Sequence, residues 1–223
     1  MSQISEIEFA TRLVTLLTTL MLVVQLLMVT QRTLIANVNL FAVQSLLLCG
    51  IAGTVAWFYN ATHVFYLVAL TLAGKVILLP WFLKRLVRRV QIHQDAKPFI
   101  GTPTSMLLCG GFTLLGYLVA RPFASKTAVV SNTFGIAIAL VLMGFFLMIN
   151  RRTAITQVLA LLCAENGLFL AAISLTTFGM PLVVELGIFF DLFIAVMVLG
   201  ILVYRIRETF ESIDVERLNK LKG

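Results

Sequence analysis

Charge is scarce in this sequence. Only 12% of its 223 residues are Asp, Glu, Lys or Arg, against roughly 25% in an ordinary soluble domain. Apolar residues make up 60% of the chain and the mean hydropathy is +1.02. A soluble fold of this length cannot hide so much apolar surface, so lipid is the solvent for much of it. Period-2 alternation is missing too, which excludes a spanning β-barrel and leaves helices. The sequence has three cysteines, Cys49, Cys109 and Cys163. All fall inside apolar runs without metal-ligand spacing, so they read as small packing residues. No Gly-rich phosphate loop, nucleophile triad, haem ligand pair or metal cluster is visible. No metal site and no redox centre of its own is therefore expected. The start of the chain, Ser2 to Glu8, lacks a basic n-region, so the first span is expected to be retained and not cleaved as a signal peptide.

A span needs about 20 apolar residues. Runs of that kind lie at Phe9–Thr30, Leu34–Phe58, His63–Leu83, Thr104–Ala120, Ala128–Ile149, Ala154–Phe178 and Leu182–Tyr204. The expectation is an all-α membrane protein of about seven transmembrane helices. Three regions are expected: a four-helix membrane region over residues 1–127, a three-helix region over 128–204, and a tail over 205–223. Turn signals such as Tyr59-Asn60 and Gly179-Met180-Pro181 mark short connections. The only long connection, Lys84 to Gly101, is basic.

The net charge of +7 does not call for nucleic acid, because it is distributed as cytoplasmic anchoring of spans. One side collects Arg32, the five cations from Lys84 to Lys97, Arg151 and Arg152, and the five of the tail. The other side holds Arg121 and Lys126 alone. This puts the C-terminus in the cytoplasm and the N-terminus outside. Gln44 to Cys49 in the second span also echoes Gln157 to Cys163 in the sixth. This faint internal repeat would match spans one to three with spans five to seven.

Three charges lie near the middle of apolar runs. Lys75 lies near the centre of the third span, Glu165 about halfway along the sixth and Asp191 about halfway along the seventh. A charge at mid-membrane costs about 2.5–3.5 kcal/mol on insertion scales, so such residues face one another or a hydrated cavity, and a functional site is the default expectation. A lysine near two carboxylates at that depth is suited to passing protons. Moving one charge across the membrane is worth ~2.3 kcal/mol per 100 mV, so a relay there senses the membrane potential. The alternative is a purely structural pairing of helices. Asn166, Gln44, Gln157 and Ser45 are candidates for interhelical hydrogen bonds or water contacts. Glu185, six residues before Asp191, points to a surface or partner contact, and His63 to an interfacial anchor. Gly50, Gly53 and Gly74 are expected to let helices approach closely. Pro80 is expected to kink the third span just after Lys75. Trp57 and Trp81 read as interfacial belt residues. In the tail, Ile206, Phe210 and Ile213 suggest a short amphipathic helix, with a solvated tail as the alternative.

The segments Phe41-Ala42-Val43-Gln44-Ser45-Leu46, Lys75-Val76-Ile77-Leu78-Leu79-Pro80, Ala164-Glu165-Asn166-Gly167, Val184 to Asp191 and Asp214 to Gly223 resemble the hydrogenase-4 component E family. Its members are membrane subunits of group 4 [NiFe] hydrogenase and formate hydrogenlyase complexes. The last three spans also look like the K subunit of respiratory complex I and the C subunit of multisubunit cation/proton antiporters. There an Arg-Arg turn, a glutamate and a further acid match Arg151-Arg152, Glu165 and Asp191 in order. Two departures stand out: Glu165 lies about one turn further from the arginines than in complex I, and the last acid is Asp rather than Glu. The resemblance implies a membrane-arm subunit beside antiporter-like subunits. The nickel-iron centre and iron–sulfur clusters would sit on partner chains. Glu165, Asp191 and Lys75 would pass protons, while Arg151 and Arg152 tune their uptake at the cytoplasmic mouth. The alternatives it leaves are a non-conducting structural subunit and a C-type antiporter subunit.

Overall fold

The structure is a computed structural model that describes residues 2–58, 68–69, 71–90, 97–123 and 128–176. Six α-helices are described: α1 (Ser2–Thr30), α2 (Leu34–Phe58), α3 (Leu79–Val90), α4 (Thr102–Ala120), α5 (Ala128–Asn150) and α6 (Ala154–Thr176). A π-helical segment, Leu72–Leu78, leads directly into α3, and a 3₁₀ turn, Arg121–Phe123, follows α4. All helices but α3 are long and apolar enough to cross a membrane, which makes five such helices among the described residues. The seventh expected span and the tail lie outside those residues, as do the Tyr59-Asn60 and Gly179-Met180-Pro181 turns and the start of the third span.

Backbone groups bonded along each helix make a lipid setting tolerable, and the hydroxyls follow the same rule. Thr15, Thr18 and Thr19 of α1 donate to the carbonyls of Thr11, Val14 and Thr15 at 2.7–2.9 Å. Thr54 and Thr113 do the same to Gly50 and Cys109. Such bonds to the i−4 carbonyl hide a hydroxyl without a partner helix.

Helix α5 packs along both α4 and α6, while α1 lies against α2 and α5, and α2 against α6. The end of α1, the starts of α2, α4 and α6 and the end of α5 gather at one face. Here Asn150 ties α5 to the chain before α4. Its Oδ1 accepts from the Ile100 N–H at 2.7 Å, and its Nδ2 reaches Ser105 Oγ at 3.3 Å. This face carries Arg32, Lys97, Arg152 and the charged end of α3, so it is the basic end of the bundle.

Two boundaries differ from expectation. Helix α1 begins at Ser2, seven residues before the apolar run at Phe9. The stretch expected as a basic loop from Lys84 is helical to Val90. Its charges share a helix with Leu79, Leu83, Leu86 and Val87, which are buried, and that spacing of three and four favours an amphipathic helix over a loop.

A buried polar layer as candidate functional site

Each of the helices α1, α2 and α6 carries polar side chains part-way along an apolar face, and the bundle brings them to one level. On α1 Gln25 sits between Met21 and Met28. On α2 Gln44 and Ser45 sit between Phe41 and Leu48. On α6 Glu165 and Asn166 sit between Cys163 and Phe169. The flanking residues belong to two separate apolar clusters. One holds Met21, Leu48, Leu140, Phe169 and Leu170. The other, toward the basic end, holds Met28, Phe41, Leu83, Leu159 and Cys163. The polar layer is thus covered on both sides by close-packed hydrocarbon. Glu165 is eleven residues into α6, about 16 Å from its start, which is near the middle of a hydrocarbon core about 30 Å thick.

Lys75 enters this layer from the π-helical segment. Its Nζ lies 3.2 Å from Glu165 Oε2 and donates to Asn166 Oδ1 at 3.1 Å. The Asn166 Nδ2 donates in turn to Ser45 Oγ at 3.2 Å and to Gln44 Oε1 at 3.4 Å. The Gln44 Nε2 donates to Gln25 Oε1 at 2.8 Å. Lys75 is 3% exposed and Glu165 6%. Burying two ions costs several kcal/mol each before their attraction and hydrogen bonds offset it. A pair at this depth is therefore held by its surroundings and does not arise by chance contact.

The local backbone explains how Lys75 is presented. Pro80 has no N–H to give, and its ring crowds the carbonyl one turn back. The preceding turns are widened to π geometry, with the Leu79 N–H bonded to Gly74 O. The expected kink after Lys75 is a π segment that contains Lys75 itself. Such segments are uncommon and recur at functional sites.

The α5–α6 contact sets the position of Glu165 and Asn166. A Cβ on Gly144 would stand 2.7 Å from the Ala164 nitrogen, and one on Gly167 would stand 2.9 Å from the Val141 nitrogen. Ala164 and Gly167 are the immediate neighbours of the Glu165–Asn166 pair, so backbone-to-backbone packing clamps the segment that bears the charge. Among the described residues no close approach is found at Gly50, Gly53 or Gly74. Gly53 and Gly74 have nothing within 4 Å of a built Cβ, and Gly50 makes only an ordinary 3.5 Å contact with Leu17. Those three glycines lie on faces that meet no neighbouring backbone among the described residues.

Of the residues singled out from sequence, the structure brings together Lys75, Glu165, Asn166, Gln44 and Ser45. Gln25 completes the layer and was missed. An uncharged amide in the apolar run Leu22 to Met28 was the one signal for it. Gln157 is elsewhere: it precedes Glu165 by eight residues, about 12 Å along the axis, and donates to the Arg151 carbonyl at 3.0 Å. Arg151 is buried (3% exposed) and its Nη2 donates to the carbonyls of Met28, Val29 and Gln31 at 2.7–3.1 Å. It thereby closes the carbonyl end of α1, where a cation is favoured by the helix dipole. Arg152 lies over the Phe99 ring at 4.2 Å. Arg151, Asn37 and Thr156 line a cavity of about 10 Å³ beyond the second apolar cluster, room for about one water molecule. Asp191, Glu185 and His63 lie outside the described residues. Cys49, Cys109 and Cys163 are buried, and none of them forms a disulfide among the described residues. No group of three or more potential metal ligands occurs among the described residues.

Comparison with known proteins gives the chain its relatives. Residues 133–223 match the family described as NADH-ubiquinone/plastoquinone oxidoreductase chain 4L. The uncharacterized protein Rv0085 of Mycobacterium tuberculosis is 35% identical over 153 residues, which cover 68% of this chain and 69% of that protein. Hydrogenase-4 component E of Escherichia coli is 26% identical over 205 residues, covering 92% of this chain and 94% of that protein. The same protein of Shigella flexneri matches to the same extent. No solved structure matches the chain.

Proposed function

Because the chain belongs to the hydrogenase-4 component E family and carries a chain 4L-type region from residue 133 onward, we propose that it moves protons in the membrane arm of a complex I-like [NiFe] hydrogenase. A formate hydrogenlyase type of complex is the specific form of this proposal, in the inner membrane of a prokaryote. The supporting observation is the Lys75–Glu165 pair at 3.2 Å inside a polar layer closed on both sides by apolar clusters.

A proton passed from Lys75 Nζ to Glu165 Oε2 turns an ion pair into two neutral groups. That transfer leaves no lone charge in hydrocarbon, the costly event at this depth, and onward release from Glu165 is coupled to reprotonation of Lys75, which restores the ion pair. The Asn166 amide keeps Nζ beside the carboxylate while the proton moves, since its Oδ1 accepts from Nζ in either state. Protons reach the layer by wetting the Met28–Phe41–Leu159–Cys163 cluster from the cavity beside Arg151. Asp191, which the sequence alone assigns to the next span, is the following station of this proposal. Arg151 acts by closing α1 at the proton-uptake side, and Arg152 adds positive potential at the same end. The nickel-iron centre and iron–sulfur clusters belong to partner subunits and supply the driving redox chemistry. Antiporter-like subunits are the neighbours along the arm.

The test uses the assembled complex in inverted vesicles and follows H₂-linked proton uptake beside dye-linked hydrogenase turnover. Glu165→Gln strands the Lys75 charge, and breaking a buried pair in this way costs about 3–5 kcal/mol. Uptake should vanish and thermal stability should fall. The double variant Lys75→Met with Glu165→Leu replaces the pair by hydrocarbon of similar size, a change that is often neutral or stabilising. It should restore stability without restoring uptake. Recovery of uptake in the double variant would overturn the relay. It would favour a non-conducting bridge, a role consistent with the way Asn166 joins α2, α6 and the π segment. Nickel and iron analysis of the tagged complex separates both from a C-type antiporter subunit, which would hold neither metal.

A further inference from the structure

Helix α3 divides its residues sharply. Leu79, Leu83, Leu86 and Val87 are buried against the bundle. The opposite stripe runs Ile77, Leu78, Trp81, Lys84, Arg85, Arg88 at helical spacing. Ile77, Leu78 and Trp81 are 61%, 52% and 56% exposed, Arg85 and Arg88 are exposed, and Lys84 is half-buried. The Arg85 guanidinium lies over the Trp81 ring at 5.6 Å.

We propose that this stripe binds the headgroup of an anionic phospholipid, with the phosphate on Arg85 and Arg88 and an acyl chain along Ile77 and Leu78. The order of chemistry along the helix is hydrocarbon, then indole, then guanidinium. Over eleven residues, about 16 Å, it repeats the order of a lipid from chain to phosphate. Guanidinium groups bind phosphate oxygens in a planar fork, and basic residues at the membrane surface each add about 1 kcal/mol of attraction to anionic lipid. Glu8 and Glu165 are the only carboxylates among the described side chains, and each is paired elsewhere, with Arg12 and with Lys75. Among the described side chains, then, no carboxylate pairs with the stripe. This site is independent of the proton relay: nothing in it requires Glu165 or Lys75 to titrate.

The full chain is reconstituted in phosphatidylcholine vesicles with Trp57→Phe, so that Trp81 is the sole fluorescent reporter. Brominated phosphatidylglycerol is then compared with brominated phosphatidylcholine as quencher at equal mole fraction. A preference of about tenfold for phosphatidylglycerol is expected. It should fall to parity in Arg85→Gln with Arg88→Gln and be retained in Arg85→Lys with Arg88→Lys, with helix content unchanged in both. In the assembled complex, mass spectrometry of retained lipid should show one phosphatidylglycerol fewer per copy of the glutamine variant. Equal quenching by the two lipids would overturn the assignment, as would a preference that survives the glutamine pair. A preference that emerges only when residues 205–223 are removed would also overturn it, giving the stripe to the acids of the tail.

Discussion

At the scale of single residues, what decides the site is how each polar atom inside the hydrocarbon is satisfied. Gln25 accepts from Gln44 at 2.8 Å, and both side chains are fully buried. Gln25→Leu removes that acceptor and leaves the Gln44 Nε2 facing apolar groups, a loss of about 1–3 kcal/mol. The thermal midpoint of the solubilised protein should drop accordingly. Lys75 and Glu165 could be found in the sequence because a charge within twenty apolar residues is rare and expensive. Gln25 could not be weighed in the same way, since an isolated amide in a leucine-rich run fits either a lipid face or a buried one. Arg151 was visible as a cation at a helix corner. Its hydrogen bonds to α1 depend on a tertiary contact between distant segments, and nothing in its neighbours signals that.

At the scale of elements, two features position the charge and predict opposite signatures. Gly144→Ala would push a methyl into the α6 backbone at Ala164, so α5 and α6 must separate. A loss of about 1–3 kcal/mol is expected, as for overpacking elsewhere, together with a displaced Glu165. Gly53→Ala meets no described neighbour and should be neutral or slightly stabilising, since alanine is the better helix former. The same thermal unfolding series checks both. Which glycine faces a neighbour is a matter of helix rotation, and for that reason Gly144 and Gly167 escaped a sequence that carries fourteen glycines. The π segment behaves differently. Pro80→Ala returns a backbone donor and lets residues 72–79 tighten to α geometry, rotating Lys75 away from Glu165 while improving the helix. Stability should hold or rise while H₂-linked proton uptake falls. Uptake equal to wild type would show that the π geometry is incidental to Lys75.

At the scale of the whole molecule, helix bounds were legible almost to the residue where apolar runs end at turns. Leu34–Phe58 coincides with α2, and Ala128 and Ala154 begin α5 and α6 as expected. Hydrocarbon run length is a physical requirement of the bilayer, so it leaves a strong trace. The basic stretch after Leu83 was misjudged because positive charge signals a cytoplasmic segment without saying whether it is coiled or helical. Orientation is open to direct measurement. In a cysteine-free background, single cysteines at Arg32, Lys97 and Arg152 should react with a membrane-impermeant maleimide only in inverted vesicles. One at Arg121 should react only in intact cells. The reverse pattern would invert the membrane orientation and with it the direction of the proposed relay.

The bonds from Arg151 to Met28, Val29 and Gln31 span 120 to 123 positions of chain. During synthesis the first helical hairpin therefore enters the bilayer with its corner unfinished, and most of the described chain must follow before the guanidinium arrives to close it. A ribosome-released fragment ending near residue 145 should be cut by protease at Thr30–Thr33, whereas the chain extended past Arg151 should resist. Closure of this corner is thereby expected to wait for a segment about 120 positions downstream, after the one that bears Gly144 has been made.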